Sequence, residues 1–247
     1  MLSKARIKYI KSLQIKKYRK QEQRFLAEGE KCVAEVLKSD FVVDWLVVTE
    51  AFAERHTTLL HQFKGEVMVV KPQQLSGLGE LKTNESALAV VRMKPNEPLQ
   101  VKPDKWLLVL DDIRDPGNLG TLLRIADWYG VGGIVASNDT AELYNGKVIQ
   151  ATMGSFTRVR VWYTALSEFL AGVKVPVLGA FLRGEDVHGF RSPTGGLLVI
   201  GNESSGISDD VARYVTHRVT IPRYGGAESL NAAVAAAVLL DNLVRWR

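Results

Sequence analysis

The sequence predicts an α/β fold: a mostly parallel sheet with helices on both faces, preceded by a smaller α/β domain. Three observations carry this. The runs WLLVLDDI, GGIVAS, VRVWY, PVLGAF, GLLVIGN and HRVTIP recur through the second half, and continuous apolar runs belong to strands buried on both faces. Between them lie segments with helical patterning: GNLGTLLRIADWY, NGKVIQATMGSF, ALSEFLAG, SDDVARYV and SLNAAVAAAVLLDNLVRWR. Such alternation places helices on both sides of one sheet. Third, composition changes at MKPNEPLQVKPD, Met93 to Asp104, where three prolines among polar residues mark a linker. We therefore read residues 1–95 as the small domain, 96–104 as the linker and 105–247 as the large domain.

The small domain alternates in the same way. KARIKYIKSL has Ile7, Ile10 and Leu13 near helical spacing, and RFLAEG reads as a short strand. EKCVAEVLKS is amphipathic through Val33, Val36 and Leu37, and DWLVVTE, EVMVVKP and SALAVVRM are β-branched strands.

Composition narrows the function classes. With 46% hydrophobic and 24% charged residues the chain is an ordinary globular protein rather than a disordered one. A single cysteine, Cys32, excludes an internal disulfide framework and fits a reducing compartment. The four histidines are scattered without cysteine partners, so no metal site is expected. No apolar run approaches the roughly 20 residues of a bilayer span. The basic N-terminus lacks the apolar stretch of a secretory signal and reads as a helix entering the fold; a cytoplasmic protein with no membrane partner is the expectation.

Charge is unevenly placed. Residues 1–24 hold six Lys and three Arg against Glu22, a net +8, which within a total of +5 leaves −3 for the rest. A basic segment on a nearly neutral body is the footprint of phosphate-backbone binding. A solvated helix face is the plainer alternative.

Four Gly-containing segments, DDIRDPGN, LGAFLRGED, GNESSG and IPRYGGAES, sit where strands are expected to end. In open parallel sheets that is where ligands bind. No G-x-G-x-x-G or Walker A spacing is present. In DDIRDPGNLGTLLRIADWYG, Pro116 and Gly117 break the strand and Asn118 stands where a helix cap is expected. Arg124 follows six residues later, its fork of donors suited to a phosphate. In VIGNESSG, Gly201 permits close approach of a ligand or another backbone, and Glu203 follows a buried strand. In IPRYGGAESLNAAVAAAV, Ser229 and Asn231 open a helix whose alanines allow close packing on the sheet or on another subunit. Taken singly, each segment also reads as a capped turn.

Together and in this order, LDDIRDPGNLGTLLRIA, VIGNESSGI and IPRYGGAESLNAAVAAA strongly resemble the three motifs of SpoU-type (TrmH-like) RNA 2′-O-ribose methyltransferases of the SPOUT superfamily. YNGKVIQATMGSF is similar to the family's helix between the first two motifs. FLAEGEKCVAEVL more loosely resembles the RNA-binding domain of many members. The resemblance implies a C-terminal deep trefoil knot, a homodimer formed through the large domain, and S-adenosyl-L-methionine as methyl donor, held at Gly201, Ile221 and Leu230. It places Asn118, Arg124, Glu203, Ser229 and Asn231 at the catalytic positions. Asn118 and Asn231 are expected to orient the ribose and Arg124, Arg124 to clamp the target phosphate, and Glu203 to hold Arg124 or the motif loops. Arg223, Tyr224, the NAAVA run and Asn145-Gly146 depart from the common pattern. The expected partner is RNA, ribosomal RNA of the large subunit in preference to tRNA. A catalytically silent RNA-binding assembly factor is the alternative from another class.

Overall fold

KARIKYIKS forms α1 (Lys4–Ser12), opened by Ser3, whose hydroxyl accepts the Arg6 N–H at 3.3 Å. The computed structural model describes residues 2–245. Met1, Trp246 and Arg247, which the domain limits and the last expected helix include, lie outside the described residues.

After α1 come α2 (Lys16–Glu22), β1 (Arg24–Glu28), α3 (Glu30–Leu37) and β2 (Val43–Val48). Then follow α4 (Glu50–Arg55), α5 (Thr57–Gln62), β3 (Glu66–Val69), α6 (Pro72–Ser76) and β4 (Ala87–Arg92). The strands make one sheet in the order β1-β4-β2-β3, with β2 and β3 parallel and both pairings to β4 antiparallel. ALAVV of β4 is buried throughout because both of its faces are covered. Leu88 and Val90 join Ile10, Leu13, Leu26, Val47 and Leu75 in one core.

The large sheet begins with β5 (Trp106–Leu110), α7 (Pro116–Trp128) and β6 (Ile134–Ala136). The chain then makes α8 (Gly146–Thr152) before β7 (Val161–Tyr163), α9 (Leu166–Ala171) and β8 (Val177–Asp186). It ends with β9 (Gly196–Ile200), α10 (Asp209–Ala212), β10 (His217–Thr220) and α11 (Ala232–Val244). The six strands lie in the order β10-β8-β9-β5-β6-β7 and every pairing is parallel. Leu107, Val109, Val135, Val177 and Val199 face α9 and α10 through Leu166, Leu170 and Val211. Alternate residues Leu108 and Leu110 are equally buried on the other side of the strand, and α7 and α11 pack against each other.

Two compact units result, and the chain passes between them more than once. Residues through Pro95 cluster with Glu142–Arg158, and Asn96–Ala141 with Val159–Arg247. Segment 142–158 joins the first unit through specific contacts. Phe25 stacks 4.6 Å from Tyr144 and 5.9 Å from Phe156. The Gln150 amide donates to Glu28 O at 2.9 Å. The buried Arg19 pairs with Glu142 at 2.9 Å while donating to Leu13 O and Gln14 O. Residues 96–104 carry no helix or strand yet are fixed within the second unit. The Asn96 amide exchanges hydrogen bonds with the Tyr163 backbone at 2.8 and 2.9 Å, and Leu99 enters the core.

One expected loop is not a loop. LGAFLRGED lies inside β8, where His217 and Arg218 of β10 pair with Leu178 and Gly179, and Val219 and Thr220 with Glu185 and Asp186. The register jump bulges residues 180–184 out of the ladder and leaves Leu182 exposed. The segment is therefore a bulged strand next to the edge rather than a ligand loop.

Cys32 reports on this packing. It is buried in α3, donates weakly to Ile149 O, and burial pushes its thiol up to about 11. Burial disfavours the thiolate, the reactive form, by about a hundredfold relative to a free cysteine. Labelling by a thiol reagent at pH 8 should accordingly be slow in the native protein and fast in denaturant. Fast labelling of the native protein would show that α3 and α8 do not pack this way.

Candidate functional site

Strand β5 runs into two acids. Asp111 is buried, and its carboxylate accepts the Ser208 N–H at 2.8 Å. Asp112 has φ +60°, a left-handed conformation that costs a non-glycine residue energy. Three bonds hold it there: its N–H donates to Ser137 Oγ at 2.9 Å, its carbonyl accepts from the Asn202 amide at 2.9 Å, and its carboxylate accepts from Arg114 Nε at 2.8 Å. The carboxylate bond in turn raises the Arg114 guanidinium above its usual range.

The helix that follows is capped by Asp115, not by Asn118. Asp115 accepts the Asn118 N–H at 2.7 Å and Pro116 occupies the first turn, where its missing N–H costs nothing. Asn118 is thus the third helical residue, and its side chain is free for other work.

In the second motif Asn202 makes the turn. Its Oδ1 accepts from Ser204 N at 2.9 Å, Ser204 Oγ at 2.7 Å and Ser205 N at 3.3 Å. A Cβ on Gly201 would lie 2.2 Å from the Gly206 carbonyl carbon. Glycine is needed there because the loop's own backbone closes upon it through the Asn202–Gly206 pair. The sequence left open whether a ligand or a backbone approaches Gly201, and it is a backbone.

In the third motif the cap is Asn231 rather than Ser229. Asn231 Oδ1 accepts from Ala233 N at 3.0 Å and Val234 N at 3.3 Å. Its amide then donates to Asn118 Oδ1 at 2.9 Å, and the Asn118 amide donates to Glu203 Oε1. One residue from each motif loop therefore meets at Asn118. Arg124 lies farther along α7, exposed, with no hydrogen bond or ion pair among the described residues. Glu203 holds Asn118 and not Arg124. Ser229 is exposed and likewise makes no bond among the described residues.

The expected donor-binding positions are placed on the same loops. Gly201 follows β9 directly, Ile221 follows β10 half-buried, and Leu230 is 48% exposed just before Asn231. Residues 223–231 are exposed without interruption. Among the described residues the backbone of 221–230 enters no backbone hydrogen bond, and its one internal tie is Arg223 to Ala227 O at 3.2 Å. Unspent backbone donors and acceptors beside a half-exposed leucine fit a ligand that offers a flat apolar ring with a polar edge. Among the described residues no group of three His, Cys, Asp or Glu is placed to hold a metal ion.

Sequence reasoning missed Asp112, Asp115 and Asn202, which shape the loops without leaving them. The signals were present: Asp before Pro-Gly for the cap, and Asn followed by two serines for the turn.

The first unit has its own charge pattern. Of nine basic residues in 1–24, the arginines are engaged internally: Arg6 with Glu66, Arg19 with Glu142 and Arg24 with Asp44. Lys4, Lys8 and Lys11 on one face of α1, and Lys16, Lys17 and Lys20 near α2, are exposed with no ion pair among the described residues.

The comparisons with known proteins follow this division. Residues 105–241 match the model of the SpoU rRNA Methylase family, and residues 4–89 match an MRM3-like substrate binding domain. The chain belongs to the SpoU rRNA methylase family. It is 32% identical to the 23S rRNA (guanosine(2553)-2′-O)-methyltransferase RlmP of Bacillus subtilis, over 96% of this chain and 95% of that protein. Among solved structures, a TrmH-family protein of Porphyromonas gingivalis is 35% identical with a TM-score of 0.85, each chain covered completely. AviRb of Streptomyces viridochromogenes, solved with its cofactor AdoMet, is 26% identical with a TM-score of 0.88, covering 99% of this chain and 98% of that one.

Asn231 serves a helix and a side-chain network at once, and two substitutions separate these roles. Asn231→Ala should cost about 1 kcal/mol of stability through the lost cap. Asn231→Asp keeps the cap acceptor and should stay within about 0.5 kcal/mol while losing the donor to Asn118. Denaturant melting checks both, and equal losses would mean that the bond to Asn118, not the cap, carries the stability.

Proposed function

We propose that this chain transfers the methyl group of S-adenosylmethionine to a ribose 2′-hydroxyl of ribosomal RNA, in the large subunit. The observation that carries the reading is the convergence of Asn118, Glu203 and Asn231 from three loops, with Arg124 unpaired on the helix that bears Asn118. The near full-length likeness to a protein named for 2′-O-methylation of 23S rRNA supports the substrate class.

When bound, the donor supplies an electrophilic methyl on a positively charged sulfur. Ile221, Leu230 and the free backbone of the third loop would hold it, with Gly201 shaping the second loop beside it. Arg124 would grip the target phosphate with two parallel donors and offset the charge that grows on the 2′-oxygen. Asn118 and Asn231 keep the loops in register, so orientation is supplied before the substrates meet, which can be worth up to roughly 7–11 kcal/mol of barrier. Ser229, exposed at the mouth of the third loop, would contact the RNA backbone.

The first unit is the RNA-holding domain in this proposal, with the free lysines of α1 and α2 on phosphates. A homodimer through the second unit belongs to the same proposal. Trp128 of α7 is 84% exposed and Val234 of α11 50% exposed, and large apolar side chains left in water on two packed helices favour a second copy of the chain. The knot that the resemblance implies, and a cytoplasmic place of action set by the substrate, complete it.

The test is transfer of labelled methyl to unmodified ribosomal RNA and, separately, to unmodified tRNA, followed by alkali. A 2′-O-methyl blocks cleavage of the next phosphodiester, so label should appear in an alkali-resistant dinucleotide from ribosomal RNA alone. Label from tRNA alone would overturn the substrate, and no donor binding would overturn the reaction. In the same assay Arg124→Lys should lose at least tenfold in rate, since a point charge cannot grip bidentately. Near-normal turnover would remove the clamp.

The lysines give a second expected outcome. Replacing Lys4, Lys8 and Lys11 with Ala should weaken RNA binding and flatten the dependence of log affinity on log salt by about 2–3, close to one unit per lost phosphate contact. An unchanged slope would return α1 to a plain solvated face.

A further inference from the structure

We infer that Glu203 is the proton acceptor in methyl transfer, with its Oε2 taking the 2′-hydroxyl proton; this rests on the reading above.

The argument begins with what the reaction must dispose of. The ribose 2′-oxygen forms its bond to the methyl carbon as the carbon–sulfur bond breaks, and the bonding pair stays on sulfur. The 2′-proton must then leave the oxygen. Arg124 cannot receive it, because a guanidinium has no lone pair to offer and stays protonated in proteins. Asn118 and Asn231 are amides without a usable base. The histidines stand at 56, 61, 188 and 217, outside the three motif loops.

The carboxylates of these loops can be sorted by what already holds them. Asp111 is buried and accepts from Ser208 N. Asp112 accepts from Arg114 and sits beneath the Asn202 turn. Asp115 caps α7 by accepting from Asn118 N. Glu228 is exposed in the third loop and has no bond to Asn118, Asn231 or Arg124. Glu203 differs from all of these. Its Oε1 accepts from the Asn118 amide, which is itself fixed by Asn231, and among the described residues its Oε2 has no partner. It is a carboxylate oriented through one oxygen and open through the other, the arrangement a general base needs. Because Arg124 is not bonded to it, neither charge is neutralised by the other, and an acceptor on the second motif loop and a phosphate clamp on α7 both stand available.

The protein itself supplies the discriminating substitution. Glu203→Gln retains a carbonyl oxygen for the Asn118 amide and removes only the basic site. Single-turnover methyl transfer should fall by about 10²- to 10⁴-fold, while S-adenosylmethionine and RNA dissociation constants, measured separately, stay within threefold. The wild-type rate should fall at acid pH. The rate of Glu203→Gln should instead rise steadily with pH as hydroxide takes over, and Glu203→Asp should recover part of the loss with the acid limb restored. Full activity in Glu203→Gln overturns the inference. So does a loss that matches weakened donor or RNA binding, which would make Glu203 a positioning residue only, and so does a wild-type acid limb retained in the Gln variant. If the wild-type protein transfers no methyl at all, it is the proposed reaction that fails, and donor binding by both proteins shows which.

Discussion

The site depends on one side-chain amide, that of Asn118, and on the direction in which it points. Asn231 caps α11, so its oxygen must face the free N–H groups of Ala233 and Val234. Its NH₂ then faces outward, and only an acceptor can meet it. That forces the Asn118 oxygen toward Asn231 and the Asn118 NH₂ away from it, where the only favourable partner is again an acceptor. A carboxylate at 203 satisfies the demand. The orientation of two amides, ordinarily a matter of choice, is thus fixed by a helix end. An acid at either asparagine would remove an N–H donor and interrupt the chain of bonds.

This constraint explains why a set of ordinary turns had to be so particular. Asp115 takes over the capping of α7, which releases Asn118 from the local bond that an asparagine near a helix start would otherwise make. Asp112 accepts a left-handed backbone so that the chain can leave β5 and still present its carbonyl to Asn202. Asn202 spends its own oxygen on Ser204 and Ser205, and that turn delivers Glu203. Strain and polar burial at the strand ends are offset by bonds within the loops and between them.

Much of this was legible in the sequence, and the parts that were not share a cause. Buried runs such as WLLVL and GLLVI read directly as parallel strands because every residue in them is covered. The loop sequences singled out Asn118, Glu203 and Asn231, and the structure joins the three by hydrogen bonds. What a single sequence lacks is the partner of each polar atom. Asn118 and Asp115 are both good caps, and only the three-dimensional path of the chain decides between them. LGAFLRGED failed for a related reason: its glycines and charges look like a loop, yet β10 pairs with both ends of it and turns the middle into a bulge. Residues 142–158 read as an ordinary crossover helix by period, and no local signal reveals that Tyr144 and Phe156 stack on Phe25 of the first unit. The N-terminal charge was visible, but not its division into arginines engaged by acids and lysines left free.

That division recurs at the site and bears on how such a surface meets RNA. Arg124 on α7 and Glu203 on the second motif loop carry opposite charges, and they make no ion pair with each other. In the proposed reaction a paired Arg124 would have to be pulled from its acid before gripping a phosphate. The neutral amide of Asn118 instead meets Glu203 Oε1. It satisfies one carboxylate oxygen without cancelling the charge, and it leaves Arg124 to a partner from outside. In the proposed reaction, a substrate that carries both a phosphate and a hydroxyl proton would find each charge unspent.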